Sequence, residues 1–178
     1  MELLIGCGSA RDRRIHADGQ DGWSELLTCD VNPAHSPDVL ADLTVLPWPF
    51  GDDMFTEVHA YELLEHLGSQ GDYVSFFAQF SEIWRILEPD GVLCATVPAP
   101  DSPWLWGDPG HTRAILPNTL VFLSQAEYEV QVGHTPMSDY RYCYKADFRT
   151  LFTEIKEHTF SFVLQAKKAP TPGDSSPV

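Results

Sequence analysis

The stretch Glu2-Leu3-Leu4-Ile5-Gly6-Cys7-Gly8-Ser9-Ala10 decides how this chain folds. A short apolar run that stops at a pair of glycines reads as a buried strand feeding a tight turn. Downstream, Leu26-Leu27-Thr28-Cys29 forms a second such run and ends at Asp30. A strand, a glycine turn and an acid at the end of the next strand suit an open α/β sheet that holds a ribose. Glycines let the backbone approach the ligand, and a carboxylate about 20 residues on accepts hydrogen bonds from the sugar. Residues 11 to 23 are mostly charged or polar, include Gly19 and Gly22, and carry no helical apolar stripe, so this connection is expected to be a loop.

Pro37 to Asp42 reads as a short third strand. The proline-rich Leu46-Pro47-Trp48-Pro49-Phe50 follows, closing in the turn Gly51-Asp52-Asp53, and Thr56 to Tyr61 is a fourth strand of mixed polarity. From Val74 to Leu87, Phe76, Phe77, Phe80, Ile83, Trp84 and Leu87 fall at helical spacing, which predicts an amphipathic helix laid on a sheet. Glu88-Pro89-Asp90-Gly91 is its expected stop. Val92 to Val97 is apolar almost throughout, as a central parallel strand should be. Beyond Pro98, Asn118 to Ser124 reads as the start of a helix after the turn at Pro117, and Tyr128 to Val132 and Arg141 to Tyr144 read as strands. In Thr159 to Ala166, Phe160, Phe162 and Leu164 alternate with polar residues, which suits an edge or antiparallel strand. Strands separated by helices or crossover loops define an α/β fold with a mostly parallel sheet. A single domain is expected over 1–168, and the Pro-, Gly- and Ser-rich tail 169–178 is expected to be disordered.

The chain has 178 residues, with 11 basic and 26 acidic side chains and a net charge of −15. That balance argues against nucleic acid and anionic membranes, because both need a basic face and only Arg11, Arg13 and Arg14 cluster. No apolar run approaches the roughly 18 residues of a membrane span, and the N-terminal segment is too short and acidic for a signal peptide, so a cytoplasmic protein is expected. Cys7, Cys29, Cys94 and Cys143 lack the spacing of a metal site, and Cys7, Cys29 and Cys94, each within or at the end of an apolar run, read as reduced, packed thiols, so no metal is predicted.

What is missing narrows the ligand. A pyrophosphate calls for a third glycine opening a helix, and here Arg11 stands in that place with a polar loop behind it. A nicotinamide or flavin dinucleotide is therefore the poorer candidate. S-adenosylmethionine carries ribose and adenine without phosphate, and its sulfonium suits an acidic protein with aromatic residues near the site. In this reading Asp30 binds the ribose and Asp42 accepts from the adenine amine. The competing reading makes each carboxylate a local turn cap, beside Asn32-Pro33 and Leu43-Thr44 respectively.

The sequence resembles the class I S-adenosylmethionine-dependent methyltransferases, most closely a subgroup of small ones. The resemblance runs through Leu4-Ile5-Gly6-Cys7-Gly8-Ser9, Cys29-Asp30-Val31-Asn32-Pro33, Pro37 to Leu43, Leu46-Pro47-Trp48-Pro49 and Phe55-Thr56-Glu57-Val58. It continues through Leu64-Glu65-His66-Leu67, Ile86 to Gly91, Val97-Pro98 and Asp108-Pro109-Gly110-His111, and covers residues 3 to 123 in the family's order. It implies a Rossmann-like three-layer sandwich of seven strands with the last, Thr159 to Ala166, antiparallel, and with the first helix shortened or absent here. It also implies that Gly6, Cys7 and Gly8 border the methionine part of the cofactor, and that Asp30 with Val31 holds the ribose. Asp42 and Leu43 would lie at the adenine, with Tyr61 and Glu62 at the methyl end. The family often has an acid where Leu4 stands and a glycine where Ala10 stands.

His66, Asp108 and His111 are the candidate catalytic residues. Glu65 and His66 invite a general-base reading, against which Leu63, Leu64 and Leu67 form an apolar stripe and His66 reads more readily as the cap of that short helix. Asp108 and His111 lie on the loop after the fifth strand, where an α/β sheet meets its substrate; their structural alternative is a hydrogen bond that fixes the loop. Trp104 and Trp106 flank this loop, and either wall a pocket or cover the core edge. The expected activity is methyl transfer to a small-molecule acceptor. The alternative is a non-catalytic module that keeps the fold.

Overall fold

A computed structural model of the chain describes residues 1–17, 19 and 21–168. The expected disordered tail, 169–178, lies outside the described residues. Seven strands form one sheet: β1 (Glu2–Ile5), β2 (Leu26–Asp30), β3 (Val39–Leu40), β4 (Phe55–Tyr61), β5 (Leu87–Pro98), β6 (Phe148–Lys156) and β7 (Thr159–Ala166). Their order is β3-β2-β1-β4-β5-β7-β6, and β7 runs antiparallel to both its neighbours while the remaining pairs are parallel. The fold is the predicted Rossmann-like one, with Thr159 to Ala166 as the antiparallel strand.

Helix α1 (Tyr73–Ile86) forms where the apolar spacing places it, and the Asp72 carboxylate caps it by accepting the Ser75 amide at 3.0 Å. Its buried Phe76, Phe77, Phe80, Ile83 and Ile86 lie in one core cluster with Leu3, Ile5, Val58, Ala60, Leu93 and Ala95 of the sheet. The helix gives way directly to β5, whose register against β4 shifts at the Glu88 to Gly91 segment. Gly91 is required there: a Cβ would stand 3.0–3.1 Å from the carbonyl oxygens of Glu88, Phe55 and Thr56.

The opposite face of the central sheet is covered by a loop, in keeping with the missing first helix. Along β4, Glu57, His59 and Tyr61 point to this side, and all are buried. Arg13 from the loop is buried beside them, with Nη2 2.7 Å from Glu57 Oε2 and 3.5 Å from Glu2 Oε1. His59 Nε2 donates to Glu57 at 2.8 Å, so its Nδ1 accepts from the Tyr61 hydroxyl at 2.6 Å. The Tyr61 oxygen accepts the amides of Arg14 and Ile15 at 3.1 and 3.2 Å. Trp23 closes the cover edge-on against His59, ring centroids 4.7 Å apart.

Several expectations are corrected. The third strand shrinks to Val39–Leu40, and the stretch after Pro117 is a 3-10 helix, Pro117–Leu123. Tyr128 to Val132 is not a strand; α2 (Gln125–Gln131) forms instead, with Ser124 accepting the Glu127 amide at 3.4 Å as its N-cap. Arg141 to Tyr144 is not a strand but a turn, and β6, beginning at Phe148, is a separate strand that the sequence reading did not find. Because β6 takes the edge, Thr159 to Ala166 lies inside the sheet rather than at its margin.

Candidate functional site

The parallel register brings strand ends level, since Ile5 pairs with Cys29 on one side and with Ala60 on the other. Gly6, Asp30 and Tyr61 are the next residues along, at the point where the strand order reverses. Open α/β sheets bind ligands at this point, beyond the carboxyl ends of their strands.

Gly6 and Gly8 both have positive φ, +60° and +54°. A Cβ on Gly6 would sit 2.6 Å from Leu63 Cδ1. Gly6→Ala therefore adds a collision to a left-handed backbone, and is expected to cost about 2 kcal/mol in urea unfolding. Leu63→Ala in the same chain should return part of that loss, because the two residues are in contact. At Gly8 a Cβ would meet nothing within 4 Å, so the turn opens to space there.

The Asp30 carboxylate accepts the Gly8 amide at 2.9 Å and the Asn32 amide at 2.8 Å, and His35 Nδ1 lies 3.3 Å from Oδ2. Burial alone would raise its pKa, but these amides and His35 outweigh burial and hold the carboxyl below its ordinary value. Arg11 reaches across the same place: Nη1 donates to the Gly8 carbonyl at 2.5 Å and Nη2 to the His35 carbonyl at 2.8 Å. The Asp30 side chain is left 9% exposed.

The other predicted cofactor residues take varied positions. Cys7 is buried, with its amide donating to the Cys29 carbonyl at 3.2 Å, and Val31 is exposed. Asp42 is exposed and accepts the Thr44 amide and hydroxyl at 2.9 and 2.7 Å. Leu43 is in the core, its carbonyl taking the Trp48 indole N–H at 3.0 Å. The Tyr61 hydroxyl is engaged by the loop on the far face, whereas Glu62, with φ +51°, is exposed at the strand end.

A second group gathers beyond β4 and β5. Glu62, His66, Asp108 and His111 line one cavity of about 340 Å³, with Trp104 and His158 also on its wall. The fold thus brings the three predicted catalytic residues together from two separate segments. His66 Nδ1 donates to the Gly110 carbonyl at 3.0 Å, and the Gly110 amide donates to Asp108 Oδ1 at 2.7 Å. His111 Nδ1 donates to the Leu105 carbonyl at 3.3 Å, and the two imidazoles meet edge to face at 4.7 Å. Glu65, fully buried, lies beside them. Its backbone carbonyl accepts the amides of Thr112 and Arg113 at 2.9 and 3.2 Å, which pins the loop to the turn after β4. Neither of its carboxyl oxygens has a hydrogen-bond partner. Burial, reinforced by the negative charges of Glu62 and Asp108, pushes this carboxyl up to about 8.

Comparison with protein-family models finds no match, and comparison with curated proteins finds none either. Solved structures do share the fold. A methyltransferase from Mesorhizobium loti, dependent on S-adenosylmethionine, superposes with a TM-score of 0.56 at 14% identity, covering 92% of this chain and 90% of its own. An S-adenosylmethionine-dependent methyltransferase from Archaeoglobus fulgidus gives 0.53 at 13% identity, over 92% and 85%. The [4+2]-cyclase SpnF gives 0.54 at 14% identity, over 94% and 74%. The chain therefore has the class I S-adenosylmethionine-dependent methyltransferase fold, in agreement with the resemblance in its sequence. Among the described residues, no helix is long and apolar enough to cross a membrane.

Proposed function

We propose that this protein binds S-adenosylmethionine between the Gly6–Gly8 turn and Asp30, and transfers its methyl group to a small-molecule acceptor in the cavity lined by Glu62, His66, Asp108 and His111. The observation that carries this reading is the pairing of a carboxylate at the end of β2 with an open glycine turn at the end of β1, at the reversal point of the sheet. The residues fit the adenosine part of the cofactor. A carboxylate offers about four lone-pair sites, so Asp30 keeps capacity for sugar hydroxyls beyond its two backbone amides, and Gly8 faces free space.

S-adenosylmethionine supplies a methyl group on a good leaving group, so the chain has mainly to align, to exclude water and to receive a proton. Asp30 and Gly8 would hold the ribose, and Asp42 would lie near the adenine. His66 and His111 each give their Nδ1 hydrogen to a backbone carbonyl, which leaves the Nε2 lone pair of each available at the acceptor cavity. Glu62 and Asp108 make that wall acidic, which suits an acceptor with hydroxyl or amine donors.

A second reading, a non-catalytic module, is favoured by Arg11, which ties the Gly8 carbonyl to the His35 carbonyl and so uses the glycine turn for the chain's own packing. Calorimetric titration separates the two. S-adenosylmethionine and its demethylated product are each expected to bind one to one, and at 100 times Kd to stabilise the fold by about 2.7 kcal/mol. For a domain of this size that is a rise of about 5–10 °C in Tm. If neither compound binds, the methyltransferase reading fails.

A further inference from the structure

We propose that Glu65, His66 and His111 form a binding site for a divalent transition-metal cation at the floor of the acceptor cavity, although cysteine spacing in the sequence points to no metal. The donors converge: one ligand atom from each lies within 4.8 Å of the other two, and His111 Nε2 stands 3.9 Å from Glu65 Oε1. Donors bound to one cation at about 2.0–2.2 Å sit roughly 3–4 Å apart, so the three side chains need to draw in by about 1 Å.

Three features make this more than proximity. Glu65 is 0% exposed, yet neither carboxyl oxygen is hydrogen-bonded, and a buried polar group without a partner is costly unless something satisfies it. The histidines are held as ligands are held. Each gives Nδ1–H to a backbone carbonyl, Gly110 for His66 and Leu105 for His111, which fixes the tautomer and leaves the Nε2 lone pair free. The His111 Nε2 lone pair and an ionised Glu65 Oε1, 3.9 Å apart, are both acceptors, and a cation or a proton between them satisfies the two together. Acceptors also ring the position, with Asp108 Oδ2 3.9 Å from His111 Nε2 and Glu62 on the same wall.

Two imidazoles and a carboxylate, with further oxygens nearby, match Zn²⁺, Mn²⁺ or Fe²⁺ and not Ca²⁺. The other trio of donor-bearing side chains, Glu57, His59 and Cys94, differs because Glu57 is already bonded to Arg13 and His59. The position of the cation at the acceptor end rests on the methyl-transfer reading; its binding does not, and is measured without cofactor.

The test is titration of the metal-stripped full chain with Co²⁺, read by visible d–d absorption, and with Mn²⁺, read by loss of the free-ion paramagnetic resonance signal. One ion per chain is expected. His66→Ala, at an exposed position that spares the core, should weaken binding at least tenfold, and Glu65→Gln should do the same. His158→Ala, a histidine on the same cavity wall outside the trio, should leave affinity within twofold. The proposal is overturned if the wild-type chain binds no ion stoichiometrically, as it would if a proton satisfies Glu65. It is equally overturned if His66→Ala binds as the wild type does, or if His158→Ala loses as much. A chain that binds Co²⁺ but not S-adenosylmethionine would sink the methyltransferase reading and leave the cation site standing.

Discussion

Replacing Arg13 by methionine is expected to lower the unfolding free energy by about 3–5 kcal/mol, the range found when one partner of a buried ion pair is removed. Arg13 has to neutralise Glu57 at 2.7 Å and Glu2 at 3.5 Å beneath the loop that stands in for the first helix. Methionine keeps much of the volume but leaves buried carboxylates without that cation. The loss should also depend on pH. Burial works to raise the Glu57 pKa, but hydrogen bonds from His59 and Arg13 prevail and hold it below its ordinary value. A carboxyl depressed in this way contributes stability above its unfolded pKa, and that stability fades as pH falls through the folded value. Urea unfolding of the two chains should therefore show a wide gap near neutral pH that narrows in acid. A gap that is constant across pH would mean that packing, not charge, is what Arg13 provides.

Asp30→Ala should weaken S-adenosylmethionine binding by about 10- to 150-fold, since even one hydrogen bond to a charged group contributes about 1.5–3 kcal/mol. The same change removes the acceptor of the Gly8 and Asn32 amides, so the ligand-free chain should lose about 1–2 kcal/mol as well. Asp30→Asn separates the effects, because it keeps an acceptor oxygen and loses the charge. Calorimetric Kd values set beside ligand-free Tm values decide the matter. An Ala variant that is less stable yet binds with wild-type affinity would make Asp30 a turn cap and nothing more.

Much of the fold could be read because its central elements bury one kind of surface. Leu3 and Ile5 announce β1, and the Phe76-to-Ile83 spacing announces α1, since in both the apolar pattern mirrors the face that is covered. The errors fall where that mirror is lost. Strand β6 is exposed along nearly its whole length, so Phe148 to Lys156 carries no periodic burial signal. Around Tyr128 the alternation of large and polar residues imitates a strand. The decisive mark there was Ser124 with Glu127 three residues on, a helix-start pattern whose hydrogen bond is formed. In β4 the mixed polarity of Glu57, His59 and Tyr61 was visible, but their partner Arg13 comes from a loop whose path no local pattern gives.

The candidate site divides in the same way. Gly6, Gly8 and Asp30 were legible because Asp30 ends an apolar strand and the two glycines follow directly on another. His66, Asp108 and His111 were legible singly, and only the alignment of β4 with β5 makes them neighbours. Glu65 stood out beside His66 as a possible base, but its burial without a side-chain partner could not be read from leucine neighbours that suggested an ordinary apolar turn. His158 was hidden because it belongs to the β6–β7 hairpin, whose first strand was not recognised.

The exposed margin formed by β6 has a consequence for how copies of this chain meet. Among the described residues nothing pairs with the outer side of the nine-residue β6, and that side, with Leu151, Phe152 and Ile155 each about half exposed, is a template on which another strand can add. Arg149, Glu154 and Lys156 interrupt that strip, and the −15 charge of each molecule holds copies apart at a distance. Such repulsion reaches about 10 Å at 0.1 M salt and only about 3 Å at 1 M. Concentrated electrolyte therefore strips away the long-range guard while leaving the sticky rim intact, and crowding in brine is the condition in which these molecules are most apt to zip together.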